Sequence, residues 1–390
     1  MNSQTILKYI FLSIIPMVMA KGAIFIANIV TANQLTVDHF SQLSEIYLCA
    51  AIMATPVIAS LNQYVSIVNE KAKSLIILAL ILSVSSSLLS TLYYAIFFND
   101  FIVLTNIAMV FFFTLIIILS GSVSAVFIGS GIANKLNVSA LIGGILFAIL
   151  VFVFIRFNVT WYFYFFLYLT IPVTNLIISP FLLKTNAELI NKKSNRVNQR
   201  RTIIKLLLIA VMGAPVQLVL VATLQALDLT GLELARLNIA YQWHMLVILL
   251  PTMISAVLLK FLAEKKAATQ SIYRYLSYAI ACALALLIIA VSGFAEALYS
   301  FNGKGLATAI TGYAIAGVLS VFYHVELNTF LSEFAFDKAL KMVGINAFIY
   351  LLVGWIGLHY FPATLTLAIA MSVSYGITIV FIKLRFRQKA

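Results

Sequence analysis

The chain has 390 residues, of which 63% are hydrophobic and only 9% charged, with a net charge of +13 and two cysteines. A mean hydropathy of +1.08, and apolar runs of about 20 residues along the whole length, exclude a soluble globular protein and leave no stretch for a soluble domain. The basic excess invites a nucleic-acid reading, but its distribution, taken up below, has a simpler physical cause.

In chain order the hydropathy predicts twelve membrane-crossing helices: 6–30, 43–67, 75–97, 101–130, 138–156, 160–183, 203–227, 239–260, 273–296, 305–330, 341–358 and 363–383. The fold class is therefore an all-α polytopic membrane protein of about 12 transmembrane helices. The first span, "SIIPMVMAKGAIFIANIV" (13–30), carries Lys21 about 18 Å from its inner end at the helical rise, too deep for easy snorkelling. A central Lys costs roughly 2.5–3.5 kcal/mol on insertion scales, so it is expected either in a polar cavity or in a buried structural pair. The "VMA" before it resembles a signal-peptidase site, but the apolar run continues to Val30 and more spans follow, so an uncleaved helix is expected. Asn62 and Gln63 fall at the end of span two, where they line a vestibule or cap the helix. Span six begins with "TWYFYFFLY" (160–168), an interfacial aromatic belt or, alternatively, a sugar-stacking surface.

The longest polar connector, "LKTNAELINKKSNRVNQRRT" (183–202), follows span six. It divides the chain into a six-helix lobe 1–184, a basic linker 185–202 and a six-helix lobe 203–390. Six spans return the chain to its starting side, so the lobes are parallel repeats about a pseudo-two-fold along the membrane normal. At an offset of 195, Pro56 falls on Pro251 and Asp38 on Glu233, and Pro16 and Pro215 lie in spans one and seven. Helix-interior proline removes a hydrogen bond, which makes these four the expected kink positions.

In span eight, Arg236, Ala240 and His244 recur every four residues, so Arg236 and His244 share a face. Arg236 reads equally as an interfacial anchor paired with Glu233. Span ten ends "FYHVELNTF", which places His324, Glu326 and Asn328 near the inner boundary. Glu326, with His324, is the candidate ion-coupling group, or else half of a structural salt bridge. Cys49 and Cys282 both fall within spans and read as packing residues.

Charge tests the topology independently. With the N-terminus inside, Lys8; Lys71 and Lys73; Lys135; Lys184, Lys192, Lys193, Arg196, Arg200, Arg201 and Lys205; Lys260, Lys265, Lys266 and Arg274; Lys338 and Lys341; and Lys383, Arg385, Arg387 and Lys389 are cytoplasmic. Only Arg156, Arg236 and Lys304 are outside. This bias places both termini in the cytoplasm and explains the net charge by topology, with anionic lipid rather than nucleic acid as the partner of the basic linker.

No nucleotide-binding loop, zinc-protease motif or metal-spaced Cys/His cluster occurs, so no cofactor, metal or catalytic residue is expected. The predicted outer loops are short (31–42, 97–100, 157–159, 228–238, 297–304 and 359–362), leaving little room for an enzyme acting on the far side. The functional groups must then lie inside the bundle, as in a transporter.

The stretch "LNIAYQWHMLVILLPTMISAVLLKFLAE" (237–264) resembles the eighth-span region of Wzx-type O-antigen flippases, in the multidrug/oligosaccharidyl-lipid/polysaccharide exporter superfamily. The likeness is carried by Asn238, Gln242-Trp243, the basic residue His244 (usually Arg) and Pro251. "TVDHFSQLSEIYLCAAIMATPVIASLNQYV" (36–65) resembles the corresponding first-half region. The resemblance implies a bacterial inner-membrane flippase that moves undecaprenyl-diphosphate-linked oligosaccharide to the periplasmic leaflet. It implies alternating access of two lobes, ion-gradient coupling, and partners such as an O-antigen polymerase and a chain-length regulator. On this reading Lys21, Arg236, Gln242, Trp243, His244, Asn62 and Gln63 bind substrate. A cation-coupled multidrug exporter and a membrane polymerase or acyltransferase are the alternatives. Against them stand the cation in span one, the absence of charge in span seven beyond Lys205, and the lack of a large outer loop.

Overall fold

The computed structural model describes the backbone of residues 3–68, 72–98, 104–129, 135–157, 159–184, 199–228, 230–263, 267–299 and 305–386, and every regular element among them is helical. The helices of the first half are α1 (Ser3–Gln34), α2 (Val37–Val68), α3 (Ala72–Phe97), α4 (Leu104–Gly129), α5 (Leu136–Arg156) and α6 (Phe165–Lys184), the last led in by a 3-10 turn at Trp161–Tyr164. Those of the second are α7 (Gln199–Val211), α8 (Gly213–Leu227), α9 (Leu232–Ala263), α10 (Ala267–Leu298), α11 (Leu306–Ser332), α12 (Phe336–Tyr360) and α13 (Thr364–Phe386). Among the described residues eleven segments are long and apolar enough to cross a membrane, with α7 and α8 forming one of them, Thr202–Leu227. The 32-residue α1 is the remaining span of the twelve read from the sequence. The chain is a multi-pass membrane protein.

Two compact units, Met1–Leu207 and Leu208–Ala390, divide the chain. The division falls inside α7, a few residues beyond the expected start of the second lobe at 203. Of the basic linker 185–202, residues 185–198 lie outside the described residues, as do Lys71, Lys265, Lys266, Lys304, Arg387 and Lys389. Within each unit the helices pack in one scheme. In the first, α1 packs on α5, α2 on α3 and α4, α3 on α4, α4 on α6 and α5 on α6. In the second the equivalent pairs are α8–α12, α9–α10, α9–α11, α10–α11, α11–α13 and α12–α13. The repeat read from two prolines is thus carried by the packing. α2 and α9 are both 32 residues long, start 195 positions apart, and hold Pro56 and Pro251 at the same place.

Local chemistry sets the helix ends. Thr36 Oγ1 accepts the His39 amide at 3.4 Å and Asp38 sits in the first turn of α2, an N-cap with an acid at the positive end of the helix dipole. Before α9, Asp228 accepts the Thr230 amide at 3.1 Å, the Thr230 hydroxyl at 2.6 Å and the Glu233 amide at 2.6 Å. Gly231 takes a φ of +67° that the turn requires. The predicted outer loop 31–42 shrinks to Leu35 and Thr36, because both helices continue past the bilayer core; hydropathy locates the core, whereas capping locates the helix end.

Pro215 interrupts span seven: lacking an N–H, it cannot bond the Val211 carbonyl, and α7 gives way to α8 at Met212. The helices carrying Pro16, Pro56 and Pro251 are assigned without a break. Hydroxyls buried in the spans return to their own backbone, as with Ser87 Oγ on the Ser83 carbonyl (2.7 Å) and Thr114 Oγ1 on the Val110 carbonyl (2.8 Å), since no water reaches them there. Ser83, Ser87 and Ser90 form a fully buried small-residue stripe on α3, the kind that admits a close neighbour. Tyr162, Phe163 and Phe166 at the head of α6 stay exposed, and Trp161 stacks on His39 at 5.6 Å.

Candidate functional site

Lys21 opens on a partly open cavity of about 230 Å³ lined within the first unit by α1, α2, α4, α5 and α6. Pro16 and Lys21 come from α1, Tyr47, Thr55 and Asn62 from α2, Ser120 and Ser124 from α4, Ser139 from α5, and Pro172 and Asn175 from α6. No carboxylate is among the lining residues. No hydrogen bond or ion pair holds the half-buried ammonium among the described residues. Three of the walls, α1, α2 and α6, are proline-bearing helices. Pro172 has no N–H to donate to the Tyr168 carbonyl, so the regular helical bond of α6 is missing at this level.

Asn175 organises the α4, α5 and α6 walls of the cavity. Its Nδ2 donates to the Ser120 carbonyl (3.2 Å), Ser120 Oγ (3.1 Å) and Ser124 Oγ (3.1 Å). Its Oδ1 accepts Ser139 Oγ (3.1 Å) and Ser179 Oγ (2.9 Å). One amide therefore ties α4, α5 and α6 together. Behind Tyr47, the Tyr168 hydroxyl donates to Asn28 Oδ1 at 2.7 Å and lies 3.1 Å from Thr31 Oγ1, while the two tyrosine rings pack at 5.3 Å. Gly121 is required where α4 meets α2, since a Cβ there would lie 2.6 Å from the Ile58 side chain.

The remaining candidates occupy other places. Gln63, adjacent to Asn62, does not line the cavity. In the second unit Arg236 is paired with Glu233. Glu233 accepts the Thr364 amide through Oε2 (2.7 Å) and the Thr364 hydroxyl through its carbonyl (2.7 Å), so this group pins α9 to the start of α13. Gln242, Trp243 and His244 are buried. Gln242 Nε2 has no partner among the described residues, Trp243 lies beside the Tyr299 hydroxyl, and His244 Nδ1 lies 3.0 Å from the Tyr313 carbonyl. Glu326 pairs with Arg274 at 3.3 Å, the salt-bridge alternative of the sequence reading. Asn328 Nδ2 donates to Ser255 Oγ (2.6 Å) and Tyr273 Oη (3.1 Å). No His, Cys, Asp and Glu group able to hold a metal occurs among the described residues.

Sequence reasoning brought Lys21 and Asn62 into one site and missed Asn175, Pro172 and the three serines. Asn175 had a signal: it is the one amide in "FFLYLTIPVTNLIISPFLLK", the whole of α6, where an unsatisfied polar group is costly.

No family model matches the chain. The EPS I polysaccharide export inner membrane protein EpsE of Ralstonia nicotianae is 24% identical over 181 residues, which cover 44% of this chain and 41% of that protein. The protein of the same description from Ralstonia solanacearum is 25% identical over 182 residues, with the same coverage. The match thus spans less than half the length of these curated relatives. Among solved structures, a multidrug resistance MATE family transporter of the MOP superfamily in an outward-facing conformation superposes with a TM-score of 0.68 at 16% identity, covering 98% of this chain and 95% of that one. A MOP superfamily transporter from Pyrococcus furiosus, described as having a binding pocket of reverse polarity that suggests a different function, superposes with a TM-score of 0.68 at 15% identity, covering 97% and 95%. The chain has the all-helical, two-lobe fold of these transporters.

Proposed function

We propose that the protein exports a lipid-linked glycan, moving an undecaprenyl-diphosphate-linked oligosaccharide of the O-antigen type from the cytoplasmic to the periplasmic leaflet of the bacterial inner membrane. The observation that carries this reading is Lys21, a cation without a counter-ion in a membrane-embedded cavity with no carboxylate on its walls. A lone ammonium in a low-dielectric site attracts an anion strongly and offers it three donors. A volume of about 230 Å³ is below the roughly 300–1,000 Å³ of pockets that enclose whole drug-sized ligands. It therefore suits a single phosphate or sugar carboxylate, with the rest of the glycan and the lipid tail outside the cavity. The lobes cycle by alternating access driven by an ion gradient, without catalysis or cofactor, and an O-antigen polymerase and chain-length regulator take over the product. The resemblance at 237–264 and the polysaccharide-export relatives support this substrate class.

A multidrug exporter shares the fold, but an unpaired Lys21 repels the cationic compounds such a protein would extrude. Deletion in the native host tests the choice: single lipid-linked repeat units retained on the cytoplasmic leaflet identify the exporter, whereas normal surface glycan with lost dye efflux identifies the alternative. In the restored strain, Lys21→Ala abolishes glycan export at normal membrane levels and Lys21→Arg retains part of it. Normal surface glycan in Lys21→Ala at native expression would overturn the assignment.

A further inference from the structure

The second unit holds two histidines outside the Lys21 cavity, His244 buried and His324 half-buried. His244 on α9 is 3% exposed, and its Nδ1 lies 3.0 Å from the Tyr313 carbonyl. His324 on α11 has its Nδ1 2.7 Å from the Ser320 carbonyl and 3.2 Å from Ser320 Oγ. A carbonyl only accepts, so in both rings Nδ1 carries the proton and Nε2 carries the lone pair. Neither Nε2 has a hydrogen bond among the described residues. Each imidazole can therefore gain a proton without giving up a contact it already makes.

Both acceptor carbonyls lie on one stripe of α11, where Tyr313, Gly317, Ser320 and His324 follow at intervals of four, three and four. The close approach of α9 to this stripe depends on Gly317, where a Cβ would stand 2.9 Å from Val247 and 3.3 Å from His244 Nδ1. Both imidazoles thus lie against one stripe of α11, with their acceptor carbonyls about two helical turns apart. Aromatic rings border both imidazoles. Tyr241 stacks on His244 at 5.7 Å and 21°, Tyr313 meets it edge-on at 5.9 Å, and Tyr323 and Tyr375 flank His324 at 5.2 and 6.4 Å. Aromatic faces stabilise a desolvated cation.

The ionisable groups facing the pair are these tyrosines of α9, α11 and α13, joined by Tyr350 of α12; α8 contributes the neutral Gln217, hydrogen-bonded with Tyr241. α10 packs on α9 and α11 with Tyr273 and Arg274, and Arg274 is engaged by Glu326. Glu326 is two residues from His324 and so projects from a different side of α11. Without a third metal-type ligand, the cation these groups suit is a proton.

We propose that His244 and His324 form a proton-binding site inside the C-terminal unit, which takes up one proton at Nε2 of either ring and releases it again during the transport cycle. The role in transport rests on the export reading; the binding of the proton does not. Four histidines occur in the chain. The double variant His39→Gln/His359→Gln leaves only this pair, with neither ring altered. Nitrogen-15 histidine spectra of this full-length protein in lipid nanodiscs, taken from about pH 8 to about pH 4, read tautomer and charge directly. The expected result is two neutral rings protonated at Nδ1 at high pH and the gain of one proton by the pair as pH falls. Nε2-protonated tautomers, or two rings neutral throughout, would overturn the site. In vesicles carrying lipid-linked glycan, a pH gradient accelerates export by the unaltered chain and not by His244→Gln/His324→Gln. Proton uptake in the spectra with no glycan movement by either protein would leave the proton site standing and remove the export reading.

Discussion

Lys21 and Asn175 face one cavity and show how the membrane interior divides polar residues into two kinds. Asn175 uses the donors and acceptor of its amide on α4, α5 and its own helix, so its polarity is spent inside the protein as structure. Lys21 makes no such bond among the described residues, and the charge remains available to a ligand. The cation has no counterpart in the other half: the residue five positions after Pro16 is Lys21, and five positions after Pro215 it is the fully buried Leu220. Asn175→Ala leaves four serine side chains short of a partner and is expected to cost about 1–3 kcal/mol, the penalty for stranding buried polar groups. Thermal unfolding in detergent checks this, and an unchanged midpoint would mean that Ser179 re-bonds within α6 and that the bonds Ser124 and Ser139 already make to their own helices suffice. Phe334 is the one described non-glycine residue at positive φ, +58°. Its turn is closed by the Ala335 amide on the Phe330 carbonyl at 2.8 Å, a Schellman-type end that glycine usually supplies.

At the scale of the element, proline acts according to what surrounds it. Pro56 and Pro251 sit at equivalent places in equivalent helices that are assigned without interruption. Pro215 divides its span into α7 and α8, and its side chain is exposed, so no packing compensates for the lost bond. Pro215→Ala restores an amide opposite the Val211 carbonyl. It is expected to raise stability by about 1 kcal/mol, the net worth of one hydrogen bond, with new hydrogen-exchange protection at residue 215. A loss of stability would show instead that the broken helix is itself required by its packing. The cluster of Glu233, Arg236 and Thr364 makes a related point, because Arg236 there fastens helix to helix.

For the whole molecule, the distribution of basic residues makes a sided claim. Lys135, Lys205, Arg274, Lys338, Lys341 and Lys383 belong to the predicted inner segments, whereas Arg156 and Arg236 belong to the outer ones. In a background of Cys49→Ser and Cys282→Ser, a cysteine introduced at Gln34 or Asp228 is expected to react with a membrane-impermeant maleimide in intact cells. One at Lys193 or Lys341 is expected to react only after the membrane is opened. The reverse pattern would invert the topology and, with it, the direction of export. The shared packing scheme of the two units also fits a duplicated scaffold on which chemistry has diverged: a cation in one half, and an imidazole pair in the other.

The sequence by itself determined the number, positions and apolar character of the spans, the sidedness expected of their connections, and the repeat marked by Pro56 and Pro251. These properties add up locally along the chain: transfer of about 20 residues into hydrocarbon is a sum over those residues. Lys21 was legible for the same reason, since an ammonium in an apolar run stands out wherever its helix is placed. Partnership was not legible, because it depends on which helices become neighbours. Arg274 meets Glu326 across 52 residues and Asn175 meets Ser120 across 55, and the α1 and α2 walls of the cavity close only when α4, α5 and α6 pack against them. Only the tertiary structure decided that Glu326 is engaged in an ion pair and that His244 and His324 each keep a free ring nitrogen. A side chain in a membrane interior takes its role from whichever donors and acceptors packing brings within about 3 Å.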